Sequence, residues 1–194
     1  KKIMLDNEVH YLPEDHWTRG LGGYATEKVD YSNDDFFEMA IDFIANNRED
    51  PFFLYLPVTM PHDNGEAPEG ERYESPTLEP YEAEEDWSFE KKSRASVISR
   101  MDDYVGLIMK ELDKINISNN TILIFTSDNG CDNPDFFKGS GELRGMKRDV
   151  YEGGIRVPLI VRWPGKIEAG SVSDHISAFW DFLPTACEIA DIEL

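Results

Sequence analysis

Cysteine is scarce in this chain: Cys131 and Cys187 are the only two among 194 residues. Two thiols build neither a metal knuckle nor a dense disulfide framework, although the pair could be joined to each other. Long apolar runs are also lacking. The longest, Phe52 to Leu56 with Pro57 and Val58 beyond, falls far short of the roughly 20 residues of a membrane helix, so no membrane span is expected. Basic residues are outnumbered, 19 Lys and Arg against 39 Asp and Glu, for a net charge of −20. That balance opposes a broad electrostatic grip on nucleic acid or on an anionic membrane. A small anionic substrate remains compatible only where cations are concentrated locally. An initiator methionine and a targeting signal are absent too, and the chain stops at Ala190-Asp191-Ile192-Glu193-Leu194, directly after an apolar helical pattern. These features lead to the expectation of a processed or excised segment. No internal repeat or low-complexity tract is evident.

What is present suffices for a packed interior: 40% of the residues are hydrophobic and 12% aromatic, enough for one domain or for a piece of a larger one. The first thirty or so residues mix His, Trp, Pro and Gly without sustained periodicity and read as loop and short extended pieces. Helical spacing then runs over Asp34 to Asn47 through Phe36, Phe37, Met39, Ala40, Phe43 and Ile44, with Ser32 or Asn33 as N-cap. The run P-F-F-L-Y-L-P-V from Pro51 reads as a strand buried on both faces. Residues 63 to 90, acidic and proline-rich, read as a long surface loop of the kind that serves as a lid or substrate wall. An amphipathic helix is expected over Lys91 to Ile115, ended by Asn116 and the Asn119-Asn120 pair. Thr121 to Thr126 and Val157 to Trp163 read as further strands, and Phe179 to Ala190 as a final helix. Strands alternating with helices predict an α/β fold with a mainly parallel sheet. In such sheets ligands gather at the carboxyl ends of the strands, here the loops after Val58, after Thr126 and around Trp163.

Those loops carry the chemistry. After the first strand, Pro61 stiffens the backbone ahead of His62, so an imidazole stands at the mouth of the sheet, able to donate to an anionic oxygen or protonate a leaving group. An exposed loop histidine without a role fits the same pattern. After the second strand, Ser127-Asp128-Asn129-Gly130 sets a carboxylate beside an amide oxygen, hard donors suited to Ca²⁺, or to Mg²⁺, rather than Zn²⁺. Asp-Asn-Gly is equally an ordinary turn sequence. Cys131 has no histidine near it in sequence and reads as a bystander. Finally Arg144, Lys147, Arg148 and Arg156 fall within thirteen residues of a chain that is otherwise strongly acidic, punctuated by five glycines from Gly139 to Gly154. That is a local concentration of cations such as an anionic substrate needs, although each could instead be solvated or paired with Glu142, Asp149 or Glu152. Arg156, four residues from Glu152, reads as structural.

Taken in order, S-D-N-G, then L-R-G-x-K-R-D-x-Y-E-G-G-I-R-V-P, then W-P-G-K-I, preceded by P-F-F-L-Y-L-P and P-H, closely resembles the type I sulfatases, the arylsulfatase-like branch of the alkaline phosphatase superfamily. The resemblance runs from about Tyr31 to the end of the chain. It implies an alkaline-phosphatase-like fold, here incomplete, with residues 1–194 as the middle portion of one catalytic domain. It also implies hydrolysis of sulfate esters, or in some members sulfamates, with one bound Ca²⁺ held by Asp128 and Asn129. Lys147 would bind the sulfate group and His62 would act beside the scissile bond; Arg144 joins them as a substrate-binding candidate. The family's nucleophile is a formylglycine made within C/S-x-P-x-R. No such motif occurs here: Cys131 is followed by Asp-Asn-Pro-Asp, and Ser75-Pro76-Thr77-Leu78 also departs from it. This stretch alone is therefore expected to be inactive, the nucleophile belonging to a missing N-terminal region. The partner implied is a sulfated small molecule or a sulfated glycan, and the compartment periplasmic, secreted or lysosomal.

Two alternatives accompany that reading. One is a metal-dependent phosphodiesterase or phosphonate hydrolase of the same superfamily, which would carry zinc or manganese and more histidines than the four found here. The other is a non-catalytic module that binds sulfated glycans through Lys147, Arg144 and His62. His10, His16, Trp17 and Arg19, in the poorly matching first thirty residues, read as surface loop or as part of a substrate wall.

Overall fold

The computed structural model of the protein describes residues 2–5, 8–11, 23–25, 28 and 30–194. Two short strands, β1 (Lys2–Leu5) and β2 (Glu8–Tyr11), pair antiparallel as a hairpin. His10 lies on β2, whereas His16, Trp17 and Arg19 lie outside the described residues.

The two main helices follow the apolar spacing. Helix α1 (Ser32–Asn46) buries Phe37, Ala40 and Ile44 on one face. Its cap position is Tyr31, without a side-chain bond, rather than the expected Ser32 or Asn33. Asn33 is only 5% exposed, so its amide is taken up in the interior and Ser32 already belongs to the first turn. Helix α2 (Phe89–Lys114) is capped by Ser88, whose Oγ accepts from the Lys91 amide at 3.2 Å. At its far end Asn116 takes a φ of 63°, and the amides of Asn116 and Ile117 donate to the carbonyls of Asp113 and Leu112, both at 3.1 Å. Asparagine tolerates that left-handed conformation, and the paired bonds satisfy two carbonyls a helix end leaves open.

The core lies where α1 crosses α2. Phe37 stacks on Tyr104 at 4.2 Å, and Ile44, Val97, Ile108 and Leu112 complete the cluster. Burying each such side chain contributes about 1.5–3 kcal/mol. Arg100 of α2 reaches Asp34 of α1 at 2.5 Å and fixes how the helices are set along each other.

Residues 51–58, expected as a strand buried on both faces, form an extended segment with no ladder partner among the described residues. Phe52, Leu54, Leu56 and Val58 pack on the helical core, while Phe53 and Tyr55 are 72% and 76% exposed. Its apolar run is continuous, but only every second side chain meets the helices, as the pleat of an extended chain requires.

Strand β3 (Leu123–Thr126) lies in the expected place, with Leu123 against the core. It pairs with β4 (Leu159–Arg162), and the pairing is antiparallel: Thr126 faces Leu159 and Leu123 faces Arg162. The mainly parallel sheet expected from the alternation of strands and helices is thus not what forms among the described residues. The connection explains it. A parallel pair needs a crossover that carries the chain back along the strand. Residues 127–158 instead hold one four-residue helix, α3 (Glu152–Ile155), and fold back onto their own start, the Gly130 amide donating to the Gly154 carbonyl at 2.9 Å. The chain therefore enters β4 beside the end of β3. A turn of 3₁₀ helix at Phe179–Asp181 leads into α4 (Phe182–Ile189), within the stretch expected to be helical.

The antiparallel pairing corrects one element of the expected site. Trp163, just past β4, sits beside the start of β3, and neighbouring Arg162 pairs with Asp113 at the far end of α2. The loop around Trp163 therefore lies away from the loops after Val58 and Thr126, and the amino end of β4 takes its place.

Candidate active site

His62 is positioned by the core beneath it. Met60, 8% exposed, plugs into the helical cluster, and the His62 amide closes a turn on the Thr59 carbonyl at 2.8 Å. The imidazole stands outward, with Nδ1 2.6 Å from the Asp63 carbonyl oxygen.

Lys147 arrives from the other loop. Its amide donates to the Cys131 carbonyl at 2.8 Å, and Met146 and Asp149 close a small turn around it. Glycines make this folding possible by close approach. A Cβ on Gly130 would strike the Gly153 carbonyl, and one on Gly154 would strike the carbonyls of Asp149 and Met146. The Asn-Gly after β3 and the Glu-Gly-Gly before β4 are thus two halves of one backbone contact, which explains why glycines stand at both.

The result is that Lys147 Nζ lies 2.7 Å from His62 Nε2. An ammonium donates only, so Nε2 accepts and the ring proton sits on Nδ1, where it donates to Asp63. A cation and an imidazole thereby meet at one point, where the ammonium protons not given to Nε2 can grip the oxygens of a tetrahedral oxyanion.

Asp128 and Asn129 follow directly from β3. Asp128 is exposed and makes no hydrogen bond or ion pair among the described residues. The Asn129 Nδ2 donates to the Gly130 carbonyl at 3.0 Å, and its Oδ1 has no donor among the described residues. The donor set thus fits part of a hard-oxygen shell for a divalent cation. It does not complete one: no group of three or more His, Cys, Asp or Glu side chains that would hold a metal occurs among the described residues.

The remaining cations divide. Arg144 lies over the Tyr151 ring at 3.8 Å, exposed beside the Lys147 turn. Arg156 pairs with Glu152 at 2.5 Å, in keeping with a structural part. Cys131 and Cys187 are both free thiols. Three further side chains behind the site carry no local mark: Arg94 sits in the buried stripe of α2 among Ser93, Ala95 and Ser96, yet it bonds to Asp132 and Tyr73, from the two active-site loops. The signal available in sequence was a charged residue at a helical core position.

Comparisons with known proteins give the chain's family. The sulfatase family model matches residues 7–192, and the chain belongs to the sulfatase family. The match reaches well upstream of Tyr31, into residues whose own resemblance is weak. Among curated proteins the chain is similar to the steryl-sulfatase of Rattus norvegicus, 32% identical over 160 residues, covering 79% of this chain and 25% of the relative. It is also similar to the N-acetylgalactosamine-6-O-sulfatase of Bacteroides thetaiotaomicron, 31% identical over 177 residues, covering 82% of this chain and 30% of that protein. Among solved structures it resembles Ps i-CgsB in complex with k-i-k-neocarrahexaose, with a TM-score of 0.67, 27% identity and coverage of 89% of this chain and 37% of the other. The chain thus spans about a quarter to a third of the length of the curated relatives it matches. No helix among the described residues is long and apolar enough to cross a membrane.

Proposed function

We propose that these residues form the central part of a sulfate ester hydrolase, the carrying observation being the 2.7 Å approach of Lys147 to His62 at the open ends of the strand region. Lys147 Nζ grips the sulfate oxygens with the protons it does not give to His62, and His62, once protonated at Nε2, donates to the departing ester oxygen. Arg144, held on Tyr151, adds positive charge at the rim. Asp128 and Asn129 would hold part of a Ca²⁺ shell. The cation supplies charge neutralisation of the sulfate when bound. The nucleophile, a formylglycine by family resemblance, comes from elsewhere in the parent protein, since the 194 residues contain no C/S-x-P-x-R. The isolated segment is accordingly inactive. The substrate class is a sulfated glycan or a smaller sulfate ester: one relative is named for a steryl sulfate, another for a sulfated amino sugar, and the structural neighbour was solved with a neocarrahexaose. The resemblance to such enzymes supports a periplasmic, secreted or lysosomal setting.

The test is to assay the full-length protein, matured so that a C/S-x-P-x-R residue is converted, against 4-methylumbelliferyl sulfate and bis(p-nitrophenyl) phosphate, with metal analysis alongside. Sulfate release with one bound calcium supports the reading. Preferential cleavage of the phosphodiester with two bound zinc ions overturns it, and retention of sulfated glycans without turnover of either ester points to a binding module.

A further inference from the structure

Behind the Lys147 and His62 pair lies one buried guanidinium that touches both loops. Arg94, 6% exposed, projects from the first turns of α2. Its Nη2 donates to Asp132 Oδ1 at 2.8 Å and contacts Cys131 Sγ at 3.4 Å; its Nη1 donates to the Tyr73 hydroxyl oxygen at 3.1 Å. Tyr73 in turn donates to Asp132 Oδ2 at 3.1 Å, closing a ring of three side chains from three segments. Burial pushes the Tyr73 phenol well above its ordinary range, which keeps it a donor. The rings of Tyr73 and Phe136 flank the guanidinium, with centroids at 5.1 and 5.6 Å.

Each contact leads directly to a site residue. The Cys131 carbonyl, one residue before Asp132, receives the Lys147 amide. On the other side, Tyr73 follows Arg72, whose carbonyl accepts from the Asn64 amide at 2.7 Å and whose side chain lies 3.9 Å from Asp63, the neighbour that orients His62. The bond from Tyr73 to Asp132 joins the two loops directly, and Arg94 holds both of its ends. The Arg94 Nε is buried without a hydrogen-bond partner. An unpaired buried donor costs about 1–3 kcal/mol, so the guanidinium is placed for what its two Nη groups hold, not for its own full satisfaction.

We infer that Arg94 is a positioning residue that sets the distance between Lys147 and His62, acting through Asp132 on one loop and through Tyr73 on the other. Lysine cannot replace it, since an ammonium is a point donor and lacks the planar fork that reaches both partners at once. The inference rests on the sulfatase reading only for the reaction it serves; the loop positioning stands by itself.

The experiment compares Arg94→Lys and Tyr73→Phe with the wild-type full-length protein by amide hydrogen exchange and by kinetics on 4-methylumbelliferyl sulfate. Arg94→Lys keeps the charge, and is expected to speed exchange by about tenfold in peptides spanning 59–75 and 127–149 while α2 beyond residue 97 exchanges as in wild type. Turnover, kcat, should fall by about tenfold or more with KM within about twofold, the signature of misplaced groups in a formed site. Tyr73→Phe should loosen 59–75 alone. Unchanged exchange in both loops, or loosening of all of α2, overturns the inference; if Arg94→Lys does not fold, Asp132→Asn, which keeps an acceptor for Tyr73 but removes the charge that Arg94 pairs with, decides by whether 127–149 loosens selectively. A wild-type protein that hydrolyses no sulfate ester would defeat the functional reading, and the exchange data would still decide the role of Arg94.

Discussion

Lys147 Nζ and His62 Nε2 meet at 2.7 Å across 85 residues of sequence. Each is delivered by backbone bonds of its own loop, Lys147 through the Cys131 carbonyl and His62 through the Thr59 carbonyl. The convergence is thus a property of two loops folded separately and held against each other, which makes its parts separately testable.

Lys147→Ala in the full-length enzyme should lower kcat by about 10² or more, the scale for losing one preorganised donor to developing negative charge. Lys147→Arg should recover only part, since the longer fork cannot sit against His62 as the ammonium does. Steady-state kinetics on an aryl sulfate decide it, and an unchanged rate for Lys147→Ala rejects the assigned role.

Asp128→Ala should abolish retention of calcium through dialysis, measured by elemental analysis, because the carboxylate that directly follows β3, unpaired among the described residues, is removed. Its fold should survive, since Asp128 is exposed and holds no other residue among the described residues. Undiminished calcium would place the metal elsewhere. Cys131→Ser, by contrast, should leave activity near wild type.

Gly154→Ala should destabilise the protein by about 1–3 kcal/mol, the usual cost of forcing extra volume into a packed place. The added methyl would strike two carbonyl oxygens of the turn that carries Lys147. Thermal melts and kcat should therefore fall together, and a neutral variant would show that the loop is looser than its glycine contacts imply.

Asp113 provides a pH test. Hydrogen bonding from Ser118 and the nearby Arg162 hold its carboxyl below the usual carboxylate range. A folded-state value lowered in this way stabilises the protein above the unfolded value of about 4 and is lost as pH falls through the folded one. Wild type should melt above Asp113→Asn at pH 7, with the gap closing below about pH 4. A gap that widens in acid would reverse the sign.

Much of this was legible beforehand because it is local. The spacing of Phe37, Ala40 and Ile44, and of Val97, Ile108 and Leu112, marks two amphipathic helices whatever they pack against. Asp128, Asn129, His62 and Lys147 were singled out as candidates by residue type and order. The cap of α1 is not legible in the sequence, because Asn33 serves the interior, a choice made by burial rather than by propensity. Residues 51–58 read as doubly buried because an apolar run does not say which of its faces meets a neighbour.

By itself, then, the sequence determined where the helices and the strands β3 and β4 lie, that the chain carries the sulfatase motifs, and which side chains follow β3. Tertiary structure alone decided that β4 runs antiparallel to β3, that Gly130 and Gly154 close one loop, that His62 and Lys147 touch, and that Arg94 anchors both. The physical reason is range. Periodicity and capping act over a turn or two of chain, whereas strand direction and the meeting of two loops depend on contacts between segments tens of residues apart, settled by packing and by where backbone donors find their acceptors.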